Sequence, residues 1–146
     1  MDWKPAAIER LKDYDARKTS AQLLGEQLYA LEMQYTAIRA ATTDVEPVRG
    51  GDGNRREDAL LSNIVLREEL KNNKQFVTRE VEITEKGLST LSKEERSILE
   101  AFYMRRPYNH VARLCDELCV EKSELYRRKN AALKKFTIAC YGVVEI

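Results

Sequence analysis

Six cations crowd the fourteen residues from Lys122 to Lys135: Lys122, Arg127, Arg128, Lys129, Lys134 and Lys135, against one anion, Glu124. The whole chain has a formal charge of only +1. Positive charge gathered in one segment suits a local phosphate contact better than general polyanion binding. Leu125, Ala132, Leu133 and Phe136 recur through the same segment at helical spacing. With those four inward, Lys122, Tyr126, Arg127, Lys129, Asn130 and Lys134 face largely outward. Arginine can pair with guanine and asparagine with adenine, while lysine and serine hold phosphates or base edges. The plainer alternative is a solvated helix face. Tyr126 also has two readings of equal weight: a ring half-buried on Ala101 or Phe102, or a group that stacks on or bonds to nucleic acid.

A helix of this kind needs elements to hold it. Ser92-Lys93-Glu94-Glu95 is a capping box, so a helix should follow it. Ile98, Leu99, Phe102 and Tyr103 give that helix one apolar face, and Pro107 ends it by restricting Arg106. A second helix is expected from about Tyr108 to Leu118, with Val111, Leu114, Cys115 and Leu118 inward. Cys119-Val120-Glu121 is the candidate turn, and the basic helix runs from near Lys122 to about Phe136. Three short helices, the last two joined by a tight turn and the last one basic, form the pattern of a helix-turn-helix DNA-binding module. Arg105, Arg106 and Arg113 stand where they could add backbone contacts.

These residues carry a resemblance. The run from Leu91 to Leu99, followed by Phe102-Tyr103, resembles the opening of the fourth conserved region of bacterial sigma factors. Val111-Ala112-Arg113-Leu114-Cys115 stands where that family places the first helix of its reading motif. Leu125-Tyr126-Arg127-Arg128, then Ala131-Ala132-Leu133-Lys134-Lys135-Phe136, resembles its recognition helix. The nearest subgroup is the ArpU and RinA type of phage and prophage late-gene regulator, which places a long helical segment before such a module. The resemblance implies a sequence-specific, DNA-binding transcription regulator that activates late genes. The residues it puts on DNA are Lys122, Ser123, Tyr126, Arg127, Lys129, Asn130, Lys134, Arg113 and Arg106. Double-stranded DNA is the expected partner, and the upstream helices are expected to pair two copies or touch the host RNA polymerase. Three positions depart from the family pattern. Glu121 replaces the serine that caps the recognition helix, unless Ser123 takes over. Arg128 stands at a commonly apolar position. Cys119 replaces a turn glycine, so a wider turn or a helix that runs on is expected there.

Upstream, the chain reads as a coiled-coil-like antiparallel hairpin. Leu24, Leu28, Leu31, Tyr35 and Ile38 form a heptad seam in a helix that starts near Pro5. Tyr14 and Ala21 extend it, Arg17 interrupts it, and Ile8 and Leu11 lie on a slightly rotated face. Thr42 to Gly53 is the expected loop, with Pro47, Gly50, Gly51 and Gly53. Asn54-Arg55-Arg56-Glu57 should cap the second long helix, whose seam is read as Leu60, Leu61, Ile64, Leu66, Leu70, Val77, Val81, Thr84, Leu88 and Leu91. Asn73 would then be a polar seam residue that sets register or partner number. Gly87 is a plausible joint. Two helices alone bury little area, so either the following module or a second copy should pack on them.

The fold class expected is therefore all-α: a helical hairpin over residues 1–90 that pairs two copies or binds a partner, a helix-turn-helix module over 91–140, and a tail over 141–146. Residues 1–91 hold 14 Lys and Arg against 16 Asp and Glu, so DNA should prefer the other end. A DNA-packaging recognition subunit and a helical interaction module are the alternative functions. An enzyme is not expected: His110 is the only histidine, and Gly50-Gly51-Asp52-Gly53 lacks the lysine of a phosphate loop. No cofactor is expected. Cys115, Cys119 and Cys140 with His110 lack the paired spacing of a zinc site and read as small hydrophobes. No apolar run reaches membrane-spanning length and no signal segment is visible, so a cytoplasmic location in a bacterial host is expected.

Overall fold

The computed structural model describes residues 1–43 and 52–146. Among these the fold is all-α: α1 (Lys4–Thr43), α2 (Asp52–Ser89), α3 (Lys93–Leu99) with a π-helical turn at Glu100–Met104, α4 (His110–Leu118) and α5 (Lys122–Tyr141). Thr42, Thr43, Asp52 and Gly53, expected in the loop, are helical. α1 reaches Thr43 and α2 begins at Asp52, while Pro47, Gly50 and Gly51 lie outside the described residues. Asn54 is not the cap of α2, because the helix starts two residues before it.

The chain divides into two compact units, Met1–Arg17 with Arg79–Ile146, and Lys18–Thr78. Within Lys18–Thr78, α1 and α2 run antiparallel. The Asn63 amide donates to the Leu31 carbonyl at 2.9 Å and to Gln34 Oε1 at 3.3 Å. The Arg67 guanidinium lies 4.8 Å from the Tyr35 ring centre. On α1 the expected seam holds, with Leu24 and Leu28 buried and Leu31, Tyr35 and Ile38 half-buried.

On α2 the seam differs from the expected one. Leu61, Ile64 and Leu66 are exposed, as is Asn73. The inward positions are Leu60, Asn63, Arg67, Leu70, Lys74 and Val77. The reason is register. Val77, Val81, Thr84 and Leu88 fix the seam, and stepping back from Val77 by three and four lands on these residues, polar or not.

In the other unit, the start of α1 and the end of α2 pack with the last three helices. Ala7, Leu11, Leu88, Leu91, Leu99, Ala132, Leu133 and Phe136 form one buried cluster. Ile98, Phe102, Leu114 and Leu125 form a second. Leu11 is fully buried on the same face as Ala7 and Tyr14, so it belongs to the seam. Arg17 is accommodated by Glu80, at 3.2 Å. Trp3 stacks on Tyr141 with ring centres 5.0 Å apart, and the Trp3 N–H donates to the Val144 carbonyl, so the last residues are tied to the first. Gly87 is no joint. It lies buried inside α2, and a Cβ there would come within 2.7 Å of Cys140 Sγ and 2.9 Å of Phe136 Cε2. Glycine is what lets α2 approach α5.

Candidate nucleic-acid interface

The capping box forms as the sequence predicts. Ser92 Oγ accepts from the Glu95 N–H, and Glu95 Oε1 accepts from the Ser92 N–H, both at 3.2 Å. α3 then widens: the Arg105 N–H donates to the Glu100 carbonyl, five residues back, at 2.8 Å. Phe102 falls in the cluster beneath α4 and α5, while Met104 packs on the other one. The helix ends at Met104, sooner than Pro107 requires, because Arg105 leaves helical geometry at φ −132° as it closes the π turn.

α4 starts at His110, two residues later than expected, since Asn109 stands in the left-handed region at φ 54°. The turn after α4 keeps its tight form. Cys119 itself adopts φ 54°, ψ 44°, and both it and Val120 donate backbone N–H bonds to the Cys115 carbonyl. This is a Schellman-type ending, usually made with glycine. The expected widening does not occur, because the cysteine accepts the strained conformation. Glu121 caps α5 with no side-chain hydrogen bond. α5 runs five residues past Phe136, to Tyr141, and stops at Gly142, which has φ 82°. Leu125, Ala132, Leu133 and Phe136 are buried, as their spacing predicts, and so is Thr137.

The outward residues sort into two groups. Ser123, Arg127, Asn130 and Lys134 are exposed and recur at intervals of four, three and four, which is one helix face. Lys122 is exposed at the start of α5, and Arg113 on α4 and Arg106 before it are exposed too. Tyr126 and Lys129 are half-buried instead. Tyr126 sets its edge to Phe102, with centres 5.7 Å apart. The Lys129 ammonium lies 5.0 Å from the Tyr126 ring centre and 5.2 Å from that of Phe102. Burial lowers the Lys129 pKa. Those two therefore support the helix more than they face outward, and for Tyr126 the packed reading fits better. His110 also turns its ring onto Phe102, and burial, then Arg106, lowers its pKa.

The sequence reading missed the acidic partners. Arg127 Nε and Nη2 donate to Glu124 Oε2 and Oε1 at 2.8 and 2.6 Å. Arg128 Nε donates to Glu124 Oε1 at 3.1 Å, and its Nη1 reaches Glu94 on α3. Lys135 pairs with Glu95 at 3.0 Å. Hydrogen bonds from Arg127 first, then Arg128, hold the Glu124 carboxyl well below the usual range, at about 2. Three of the six basic side chains, Arg127, Arg128 and Lys135, are thus paired with carboxylates. Arg105 is engaged as well, with Asp15 at 3.3 Å.

The cysteines are free thiols, and among the described residues no group of His, Cys, Asp and Glu is placed to hold a metal. None of the described helices is long and apolar enough to cross a membrane. Residues 37–137 match the model of a family described as a protein of unknown function, DUF1492. No curated protein and no solved structure matches the chain.

Proposed function

The chain belongs to the DUF1492 family, and from its own residues we propose that it is a sequence-specific DNA-binding transcription regulator, encoded by a phage or prophage, that activates late genes in the bacterial cytoplasm. One observation carries this reading: the tight α4–α5 turn holds a helix whose exposed face is Ser123, Arg127, Asn130 and Lys134. In this proposal α5 enters the major groove. Lys122, Ser123, Arg127 and Asn130 lie nearest the base edges, with arginine suited to guanine and asparagine to adenine. Arg106, Arg113 and Lys134 hold phosphates. Tyr126 and Lys129, which the sequence also put on DNA, act by bracing α5 on Phe102. The resemblance to sigma region 4 and to the ArpU and RinA type of regulator points the same way. The paired helices join two copies or meet the host polymerase.

A DNA-packaging recognition subunit is the second reading. Exposed apolar side chains on both helices of Lys18–Thr78 favour it: Leu23, Tyr29 and Met33 on α1, and Leu61, Val65 and Phe76 on α2. Faces on two helices suit an assembly larger than a dimer. The test is selection of bound fragments from phage and host DNA at near-physiological salt, beside an Arg127→Ala/Asn130→Ala variant. Enrichment upstream of late genes, lost in the variant, is the expected result. Enrichment at a packaging site by a many-membered ring would give the second reading the lead. No enrichment would leave a helical protein-interaction module.

A further inference from the structure

We infer that Glu124 is a positioning residue that aims Arg127 at a guanine, so that base selection belongs to a pair of side chains; the inference rests on the DNA-reading proposal. Glu124 takes the Nε–H of Arg127 and one hydrogen of Nη2, which is one edge of the guanidinium. The end-on edge, formed by Nη1 and the other hydrogen of Nη2, is left for a second bidentate partner. Guanine offers O6 and N7 to such an edge. A phosphate is disfavoured there, because the Glu124 carboxylate repels an anion that comes close, while a guanine edge is neutral.

The pair is itself anchored. Arg128 grips the same Glu124 oxygen and reaches Glu94, so a second helix fixes the carboxylate. Side chains are 42% exposed at Glu94, 33% at Arg128, 34% at Glu124 and 70% at Arg127, so Arg127 is by far the most exposed member. Arg127 is thus the presented end of an anchored chain, on the face it shares with Asn130. Two arginines and two glutamates cancel in charge, so the relay adds direction more than general attraction for DNA. An ordinary surface ion pair with no role in recognition is what the test must separate from this.

The experiment selects sites from randomised duplex DNA with wild type, Glu124→Gln, Glu94→Gln and Arg127→Ala, each first shown to melt as a folded helical protein. The wild type should enrich a site containing a guanine whose preference vanishes in Arg127→Ala. Glu124→Gln should keep binding bulk DNA, lose roughly tenfold in discrimination at that base pair, and gain about one in the slope of log affinity against log salt as Arg127 turns to phosphate. Glu94→Gln should weaken the same position by less. If Glu124→Gln selects the guanine as strongly as wild type, Glu124 is a surface pair only and the DNA-reading proposal survives. If the wild type enriches nothing, that proposal fails and this inference fails with it.

Discussion

Cys119 holds a left-handed backbone, φ 54° and ψ 44°, that an L side chain adopts at a cost of about 1 kcal/mol. Cys119→Gly should therefore raise stability by roughly 0.5–1 kcal/mol, read as a higher urea midpoint with unchanged slope. A lower midpoint would mean that the thiol, 3.7 Å from the Asp116 carbonyl, does more than fill space. Tyr14 offers a pH test. Its hydroxyl donates to Glu85 Oε1 at 2.7 Å, and burial first, then this bond, pushes its pKa from 10 up to about 12. A raised folded pKa means the stabilisation is full below the unfolded value and is lost as pH rises through the folded one. Tyr14→Phe should cost about 1 kcal/mol at neutral pH. The gap from wild type should close as pH climbs from 10 toward 12. A gap that stays constant over that window would refute the bond's contribution. At this scale the sequence is legible only locally. Glu124 with Arg127 and Arg128 is a pair of three- and four-residue spacings that could have been read directly. Glu94 with Arg128 and Glu95 with Lys135 come from separate helices, which no local spacing announces.

Elements are legible in the sequence where one repeat governs them. The inward face of α5 and the capping box of α3 follow from spacing and from one serine and one glutamate. The α2 seam did not, because apolar residues at Leu61, Ile64 and Leu66 compete with the register that Val77 and Leu88 impose. The π turn at Glu100–Met104 has no composition signal, since it is set by how Phe102 and Met104 must reach two different clusters. Gly87 was legible as unusual, yet its meaning depends on a helix 49 residues on: Phe136 crosses it. Gly87→Ala would gain a little helix propensity but force a methyl against Cys140 and Phe136. Overpacking of that kind costs about 1–3 kcal/mol, so the net expectation is a lower melting temperature. Pairing it with Cys140→Ala should recover part of the loss, because the tightest contact, 2.7 Å to Sγ, is then removed. No recovery would place the cost in Phe136 alone.

At the scale of the molecule, burial is uneven. The largest fully buried side chains, Phe136, Leu11, Ile98, Leu99, Leu125, Thr84 and Thr137, all lie in the unit that holds α3, α4 and α5. In Lys18–Thr78 the most buried described side chains are Leu24, Leu28 and Asn63, and Asn63 Oδ1 and Arg67 Nε are buried without a hydrogen-bond partner. Buried polar atoms left unpaired weaken a seam, and a segment with less apolar burial opens at lower free energy. Backbone amides of Lys18–Thr78 should therefore exchange with deuterium faster than those of α3 and α5. Asn63→Leu should slow them, since an apolar side chain removes the unpaired oxygen, while leaving register less uniquely set. Concentration adds the test of pairing. If a second copy covers Leu61, Val65 and Phe76, protection in that part of α2 must rise with protein concentration while α5 is unchanged. Equal protection of both units at every concentration would contradict the uneven core. Uneven protection independent of concentration would keep the core argument and remove self-association from the proposed function, leaving those apolar side chains for a different partner.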